Sequence, residues 1–250
     1  MTDVAGKILS LQTLAAEPVA YIKTGQGGLI GHDEISGFGN HAFRVSLINR
    51  DKANDVIRRN HYSGSIVNNS YLHLGVFAGR DLKGVLQYGY AMNPASAGGV
   101  VKGTGNTQYL ELNRMWISDD LPRNSESKAI SYSLKLIRRL RPAVIWIQSF
   151  ADERCGGRLG VVYQACSFLF CGSQEAVFWE LDGVWYHNIA MTATDSVAKR
   201  KGAQVLQAAK DRAVRHVFNQ YRYVKFLRQS WRKHLQLPVL PYPKPGATDA

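Results

Sequence analysis

An almost unbroken apolar run, AVIWIQSFAD at residues 143–152, constrains the fold of this chain more than any other segment. A strand of this composition is normally covered on both faces, which requires layers above and below its sheet. The segments on either side, 127–142 and 158–170, have the apolar spacing of helices that would form those layers. Strands and helices alternate in this way in α/β proteins, so the sequence predicts that class.

Shorter patterns complete the element order. Strands are predicted at 42–49, 71–79, 82–93 and 108–118, a helix at 51–61, and a hairpin at 175–191. Asp51 is the expected cap of that helix, and Asp182-Gly183 is the expected turn of the hairpin. Together these elements predict a mixed central sheet flanked by helices.

The chain divides by composition into three predicted regions. Residues 1–41 contain the glycine-rich stretches TGQGGLIGH and ISGFGN, so we expect a loosely packed extension there. Residues 42–192 hold the predicted sheet and helices as one domain. Residues 193–250 are basic and end in PVLPYPKPGATDA, which predicts a helical appendage with a frayed, proline-rich end.

The basic region carries most of the charge of the chain. Residues 193–234 contain eleven Lys or Arg against Asp195 and Asp211, so +9 of the net +12 lies there. Apolar residues recur at steps of three and four through 196–234, which predicts one long amphipathic helix or two. Aromatic rings lie between the cations, a combination suited to phosphates and stacked bases, so nucleic acid is the expected partner.

The cations expected to contact DNA are Lys199, Arg200, Lys201, Arg215, Arg222, Lys225, Arg228, Arg232 and Lys233. A solvated basic surface that only aids solubility is the alternative. A membrane surface is disfavoured, because apolar residues are too thinly spread here for an anchor. No apolar run in the chain reaches bilayer-spanning length, and no basic-then-apolar signal pattern opens it.

The three cysteines, Cys155, Cys166 and Cys171, form no CxxC pair and no zinc quartet. Reduced thiols are therefore expected. A catalytic thiol at Cys166 or Cys171 remains an alternative that requires a neighbouring base.

Polar residues crowd the end of the first predicted helix, where Asn60, His61, Tyr62 and Ser63 precede Gly64. One interpretation is a helix end at which Gly64 adopts positive φ. The other is a loop in which His61 acts as a general base or a metal ligand.

Four further places suggest chemistry. Arg114 interrupts an apolar strand and needs an anionic partner, either a side chain or a substrate phosphate or carboxylate. Asp152 ends the buried strand, where α/β sheets bind ligands, although it would also cap the next turn. Tyr163 lies on a helix, where a core position is the alternative. Ser125 and Ser127 lie at a helix start whose free amides are suited to an anion.

The order of elements to residue 191 resembles the GCN5-related N-acetyltransferase fold. Members that bind acyl-CoA carry a glycine-rich loop after the strand that here reads ELNRMW. This chain has LPRNSES at 121–127 instead, which argues against ordinary use of acetyl-CoA.

Five motifs in order resemble the Mom family of phage DNA-modification proteins: RNHYSG (59–64), LHLGVF (72–77), ELNRMW (111–116), SFAD (149–152) and YQA (163–165). The resemblance spans roughly residues 42–190. It implies that adenine N6 in DNA becomes a carbamoylmethyl derivative, which shields phage DNA from host restriction enzymes. It also implies action in the host cell cytoplasm on double-stranded DNA.

Carried over by motif, the implied catalytic residues are His61, Tyr62, Arg114, Ser127, Asp152 and Tyr163. Arg114, Ser125 and Ser127 are the expected contacts of the group donor, whose identity the motifs do not reveal. A bound iron is associated with the family, which makes His61, Tyr62 and Asp152 its candidate ligands. One imidazole and one carboxylate fall a histidine short of the usual facial triad.

The implied chemistry is consistent with these side chains. Adenine N6 is a weak nucleophile, so the reaction needs a strong electrophile or a base such as His61 or Asp152. Tyr62 or Tyr163 would orient the purine or donate to a leaving group, and Arg114 would hold an anionic donor. Two alternatives remain: an ordinary N-acyltransferase acting on a small amine or a protein, and a non-enzymatic nucleic-acid-binding protein.

Overall fold

The computed structural model describes residues 19–24, 33–155, 159–188, 204, 208, 209 and 211–244. These residues form two compact units. The first contains the described residues through Ser149 together with Val162–Leu169 and Val224–Pro238. The second contains Phe150–Val161, Phe170–Tyr223 and the described residues from Val239 onward.

The strands that build the first unit are β1 (Val19–Thr24), β2 (Asp33–Gly39), β3 (Arg44–Leu47), β4 (Ser70–Ala78), β5 (Asp81–Gly89), β6 (Tyr109–Ile117) and the start of β7 (Trp146–Asp152). Its helices are α1 (Arg50–Asn60), α2 (Ala97–Val100), α3 (Ser125–Leu140) and most of α4 (Val161–Ala165). Strands β1 to β6 pair in chain order, each antiparallel to the next.

Strand β7 is parallel to β6. A parallel neighbour requires a crossover connection, and α3 provides it. The pairing runs from Tyr109 and Trp146 to Leu112 and Ser149, whereas β6 itself continues to Ile117. The predicted mixed α/β sheet with flanking helices is therefore confirmed, and the start of β7 is buried as its composition requires.

The helices of the first unit bury the predicted apolar faces. Ala53 and Ile57 of α1 pack with Val85 of β5, and α3 buries Ile130 and Ile137. Burying a side chain of this size stabilises the fold by about 1.5–3 kcal/mol. The expected cap of α1 was wrong by two residues, because the Asn49 side chain, and not Asp51, accepts from the Lys52 amide.

The start of α3 also differs from expectation. Asn124 is its N-cap residue, with φ of 69° and no side-chain cap bond. The hydroxyl of Ser125 donates to the Pro122 carbonyl, and that of Ser127 donates to the Asn124 carbonyl. Neither hydroxyl accepts from a helix amide, so neither serine side chain caps α3.

The glycine-rich N-terminal segment contains two strands, contrary to expectation. Strand β1 pairs with β2, and β2 pairs with β3 of the sheet. Strand partners satisfy backbone groups whatever the side chains are, so a weak sequence pattern did not prevent pairing. Residues 1–18 and 25–32 lie outside the described part of the chain.

The second unit is built on β8 (Leu169–Leu181), β9 (Val184–His187) and β10 (Val214–Phe226), in the order β10-β8-β9. The predicted hairpin turn is confirmed, since Asp182 and Gly183 both have positive φ, at 52° and 79°. Two successive residues of this kind match the twist of a tight hairpin.

Two predicted helices differ from the structure around these strands. The helix expected at 158–170 is limited to α4, because Ser167 turns with φ of 55° and β8 begins at Leu169. Of the one long helix or two expected over 196–234, the part from Val214 onward is instead strand β10 and a 3-10 helix at Gln229–His234. Most of residues 196–210 lie outside the described part of the chain. Residues 214–226 are rich in valine and aromatic side chains, which favour strands when a sheet is available for pairing.

Candidate active site and basic cleft

A line of hydrogen bonds joins the two motifs that contain His61 and Arg114. His61 is the first residue after α1, and its amide donates to the Ile57 carbonyl. Its Nδ1 lies 2.9 Å from Ser63 Oγ, which lies 3.2 Å from Ser65 Oγ. Arg114 Nη2 donates to Ser65 Oγ at 3.3 Å, and its Nε donates to the Ser65 carbonyl at 3.1 Å. The line therefore spans two segments that are far apart in sequence.

Proton positions along this line follow from its donors. The Ser63 amide donates to His61 Nδ1 at 3.2 Å, so Nδ1 is an acceptor in this arrangement, which corresponds to the tautomer with its proton on Nε2. A guanidinium can only donate, so the hydroxyl protons of Ser65 and Ser63 point in turn towards His61. Hydrogen bonds aligned in this way strengthen one another.

The Tyr62 ring lies beside the imidazole. The ring centroids of His61 and Tyr62 are 4.3 Å apart, with a 34° angle between the planes. Tyr62 is 52% exposed, which is unusual for a large aromatic residue. An exposed ring next to a polar line provides a surface on which a flat base can stack.

Tyr163 occupies a different position, at the end of the β6–β7 pairing. Helix α4 places its hydroxyl 2.8 Å from Ser149 Oγ, which also donates to the Leu112 carbonyl at 3.1 Å. Leu112 and Ser149 form the last parallel pair, so these hydrogen bonds lie where the pairing of β6 and β7 ends. Tyr163 is 8% exposed and has a core position, the alternative left open by its sequence.

A second polar line crosses the same strands and was missed in the sequence. Gln148 Nε2 donates to Glu111 Oε2 at 2.7 Å, and Asn113 Nδ2 donates to Glu111 Oε1 at 3.1 Å. Ser70 Oγ donates to Asn113 Oδ1 at 2.9 Å. The buried Oε1 of Gln148 has no hydrogen-bond partner among the described residues. Polar residues inside a strand pattern were the signal that could have revealed this line.

Asp152 lies in the second unit and is held by Arg154. Arg154 Nε and Nη2 donate to its two carboxylate oxygens at 2.9 and 2.6 Å, and the Arg154 amide adds a bond at 3.0 Å. Burial acts to raise the pKa of Asp152, but the hydrogen bonds and charge of Arg154, with a bond from Gln220, outweigh it and leave the pKa below normal. A carboxylate of this kind is a weak base.

Arg154 was not recognised as a site residue in the sequence. Its guanidinium also lies 3.6 Å from the centroid of the Phe178 ring. His187 belongs to the same surroundings: burial lowers its pKa, the positive charge of Arg154 lowers it further, and Asp152 opposes the shift. The sequence signal for this ion pair was that Asp152 and Arg154 are two residues apart across a turn.

The described residues do not fit the iron site implied by the resemblance. In the described part of the chain, no three His, Cys, Asp or Glu side chains converge as metal ligands. Asp152 accepts from Arg154 through both oxygens. A carboxylate committed to a guanidinium is a poor metal ligand.

A cleft of about 510 Å³ lies along α3 in the first unit. Its lining residues are Arg123, Asn124, Ser125, Ser127, Lys128, Ser131, Leu134, Lys135, Arg138, Ala165, Cys166, Ser167 and Lys225. We call it the basic cleft, after the cations Arg123, Lys128, Lys135, Arg138 and Lys225. It contains Ser125 and Ser127 but not Arg114, so it does not unite the expected donor contacts. The helical spacing of its cations in 127–142 was the signal that could have found it.

Two of the cysteines have raised pKa values. Cys166 Sγ lies 3.3 Å from the Ser127 carbonyl. Burial raises the pKa of both Cys166 and Cys171 to about 11, against smaller lowering effects of Lys225 and Arg222 respectively. Neither thiol therefore forms appreciable thiolate at neutral pH.

Among the described residues, the cations expected to contact DNA lie on strand β10, on the 3-10 helix after it and, for Arg228, between the two. Lys199, Arg200 and Lys201 lie outside the described residues. Arg215 and Arg222 lie on β10 in the second unit, whereas Lys225, Arg228, Arg232 and Lys233 belong to the first. Lys225 lines the basic cleft, and Arg228 Nη2 donates to the Pro142 carbonyl. Their binding of DNA stays a prediction.

Comparisons with known proteins place this geometry in context. The model of the Mom protein family matches residues 42–244. The methylcarbamoylase Mom of Escherichia phage Mu is 58% identical over 216 residues, which cover 84% of this chain and 88% of that protein.

Among solved structures, the chain is similar to a ribosomal-protein-S5-alanine acetyltransferase from Vibrio fischeri. The TM-score is 0.46 with 10% identity, covering 78% of this chain and 98% of that one. A probable acetyltransferase of the GNAT family from Chromobacterium violaceum has a TM-score of 0.43 and 11% identity, covering 84% and 97%.

Proposed function

Because this chain belongs to the Mom protein family, we propose that it is a phage DNA-modification enzyme that transfers a carbamoylmethyl group to N6 of adenine. The observation that carries the proposal is its 58% identity, over 84% of the chain, to an enzyme named methylcarbamoylase. The modified adenine would protect phage DNA from restriction, and the reaction would take place in the host cell, where that DNA is exposed to nucleases.

The transfer forms one bond and breaks another. The N6 lone pair attacks the methylene carbon of an electrophilic carbamoylmethyl donor, and the bond from that carbon to its leaving group breaks with both electrons. N6 then loses one proton, which solvent water accepts, and the leaving group departs with the bonding electron pair. Asp152 is a weak base with both oxygens engaged, and His61 carries its proton on Nε2. These residues therefore favour a strong electrophile over removal of the proton by a base before attack.

His61 acts in this proposal as a hydrogen-bond donor. The line from Arg114 through Ser65 and Ser63 keeps Nδ1 as acceptor and Nε2–H as donor. A donor of this kind stabilises negative charge that develops on a leaving group. Arg114 polarises the line from its far end, so we assign it a positioning role through Ser65.

Tyr62 would receive the adenine. N6 of a paired adenine is held in the duplex, so the base has to be extruded, at a cost of roughly a few kcal/mol for unpairing and unstacking. Stacking on an aromatic ring contributes about 1–3 kcal/mol per base and offsets that cost. The exposed Tyr62 ring beside His61 provides such a surface.

The group donor has no contact assigned to the serines at the start of α3. Ser125 and Ser127 were expected to contact it, but each gives its single hydroxyl proton to a neighbouring carbonyl oxygen. Segment 121–127 also lacks the glycines that would wrap a pyrophosphate. We therefore propose a donor other than acetyl-CoA, and assign it no contact through these two hydroxyls.

The test is the nucleoside composition of DNA from cells that express the full chain. Digestion and mass spectrometry should reveal adenosine heavier by one carbamoylmethyl group, absent from cells with an empty vector. His61→Ala should abolish the product, while Ser173→Ala, an exposed position on β8, should retain it. Unmodified adenine with soluble wild-type protein would refute the proposal. Tight acetyl-CoA binding would then favour the acyltransferase alternative, and salt-sensitive DNA binding alone would favour a non-enzymatic protein.

A further inference from the structure

We propose that the basic cleft along α3 binds the phosphate backbone of double-stranded DNA. The inference rests on the proposed function only in taking DNA as the polyanion. It assigns the contact to Arg123, Lys128, Lys135 and Arg138, with Lys225 on the opposite wall. None of the first four belongs to the basic C-terminal region, so the cleft is a DNA contact additional to the one expected there.

The cations of the cleft have no acidic partner among the described residues, although Lys128 Nζ lies 4.5 Å from the Phe43 ring centroid and Lys135 Nζ lies 5.1 Å from that of Phe38. In the described part of the chain, none of the five forms an ion pair, although pairs occur elsewhere, as between Lys83 and Asp120. No acidic side chain lines the cleft. Positive charges that share a concave surface repel one another and raise the local concentration of anions. The five clustered cations therefore destabilise the protein when it is alone, and a bound polyanion offsets their repulsion.

The spacing of the cations distinguishes a strand of DNA from a small phosphorylated ligand. Lys128 and Arg138 are ten residues apart on α3, which is about 15 Å along the helix axis. One DNA strand advances about 3.4 Å per phosphate, so this length corresponds to four or five nucleotides. A diphosphate would reach only one end of such a row.

Lys225 marks the other wall and is held in place. Its Nζ donates to the carbonyls of Cys166 and Ser167 at 2.8 and 3.2 Å. Burial lowers the pKa of Lys225, the Cys166 thiol opposes this, and the charge of Arg138 lowers it further. A phosphate between Arg138 and Lys225 would relieve that repulsion.

The lining is also unlike a protein-docking surface. Leu134 and Ala165 are its only aliphatic residues, and the other lining positions are polar or charged apart from Cys166. The centres of protein interfaces are enriched in apolar and aromatic side chains. Arginine, lysine and hydroxyl side chains are instead typical of contacts to DNA phosphates.

The experiment compares two double variants of the full chain. Lys135→Gln with Arg138→Gln removes two exposed cations of the cleft, and Arg80→Gln with Lys102→Gln removes two exposed cations elsewhere in the first unit. Affinity for a short fluorescent duplex is measured by anisotropy across a range of salt concentrations. If each cleft cation neutralises one phosphate, the cleft variant loses about 1.8 from the salt slope and about 60-fold in affinity at 0.1 M salt.

The control variant should keep the wild-type slope, and both variants should melt at the wild-type temperature. Equal slopes for the two variants would overturn the proposal. So would binding of inorganic pyrophosphate that the cleft variant abolishes while its duplex slope is unchanged, because the site would then serve a small ligand. Nucleoside analysis is independent of these measurements. A reduced salt slope for the cleft variant would support the cleft as a DNA contact. If DNA from cells that express the wild-type chain also contained no modified adenine, the proposed function would be refuted while the cleft proposal stood.

Discussion

Replacing Asp152 with alanine should destabilise the folded chain as well as change its chemistry. The side chains of Asp152 and Arg154 are 8% and 19% exposed, and two parallel hydrogen bonds join them. Removing one partner of a buried pair costs about 3–5 kcal/mol, because the other charge loses that pairing while it stays largely buried. Since Arg154 keeps some solvent contact, we expect the lower end, about 3 kcal/mol.

Urea unfolding followed by tryptophan fluorescence measures this difference. With a slope of about 2 kcal/mol per molar urea, the midpoint of Asp152→Ala should fall by about 1.5 M at neutral pH. Asp119→Ala is the matched control, since Asp119 is exposed. In the double variant of Asp152→Ala with Arg154→Met, the loss should be clearly smaller than the sum of the two single losses.

The pH dependence of stability provides an independent check that ionised Asp152 stabilises the folded chain. The folded pKa of Asp152 lies below its unfolded value of about 3.9, so the stabilisation is fully present above that value and is lost as pH falls through the folded pKa. The gap between wild type and Asp152→Ala should therefore stay constant from pH 7 to pH 5 and close in stronger acid. An unchanged midpoint at neutral pH would show that the pair does not stabilise the fold. Loss of modified adenine in Asp152→Ala would then be a chemical effect.

Three further predictions concern other parts of the chain. Ser63→Ala interrupts the line of hydrogen bonds between the His61 imidazole and the Arg114 guanidinium. One hydrogen bond contributes about 0.5–1.5 kcal/mol, so the variant should modify adenine roughly 2- to 10-fold less without a change in melting temperature. Unchanged product in the nucleoside assay would remove the line from the mechanism. Gly160→Ala places a Cβ against the Tyr223 ring at φ of +72°, so it should lower the melting temperature far more than Gly183→Ala, where φ is +79° but nothing lies within 4 Å. Equal melting temperatures would contradict the close approach. Because burial raises the pKa of Cys166 to about 11, iodoacetamide at pH 8 should modify it in urea but not in the native chain, and native labelling seen by peptide mapping would refute that burial.

The geometry also changes the interpretation of site variants. Asp152 and Arg114 were both expected to take part directly in the reaction. In the structure, Asp152 has a guanidinium partner two residues away, and Arg114 donates to oxygens of Ser65 and Asn113. Their direct roles in the reaction stay predictions. Variants at either position alter the arrangement of neighbouring groups, so their activities need to be compared with their stabilities before a chemical role is assigned.

The fold was most predictable where local stereochemistry decides the outcome. The positive φ values at Asp182 and Gly183 follow from the turn chemistry of the two residues, and the buried faces of α1 and α3 follow from helical spacing. The presence of His61 beside a positive-φ Gly64 was likewise visible in the motif. Within the described residues, no helix combines the length and apolar character that a bilayer span needs.

What the sequence determined by itself, therefore, was the α/β class, most of the central strands, the hairpin turn and the family motifs, because each is encoded over a few neighbouring residues. Tertiary structure alone decided that 214–226 is a strand, since sheet partners outweigh a helical spacing of apolar residues. It also decided that Arg114 meets Ser65, across 49 residues, and that Lys225 joins the cations of α3 around one cleft. Contacts of this kind depend on which segments the sheet brings side by side, and no local pattern of residues specifies that.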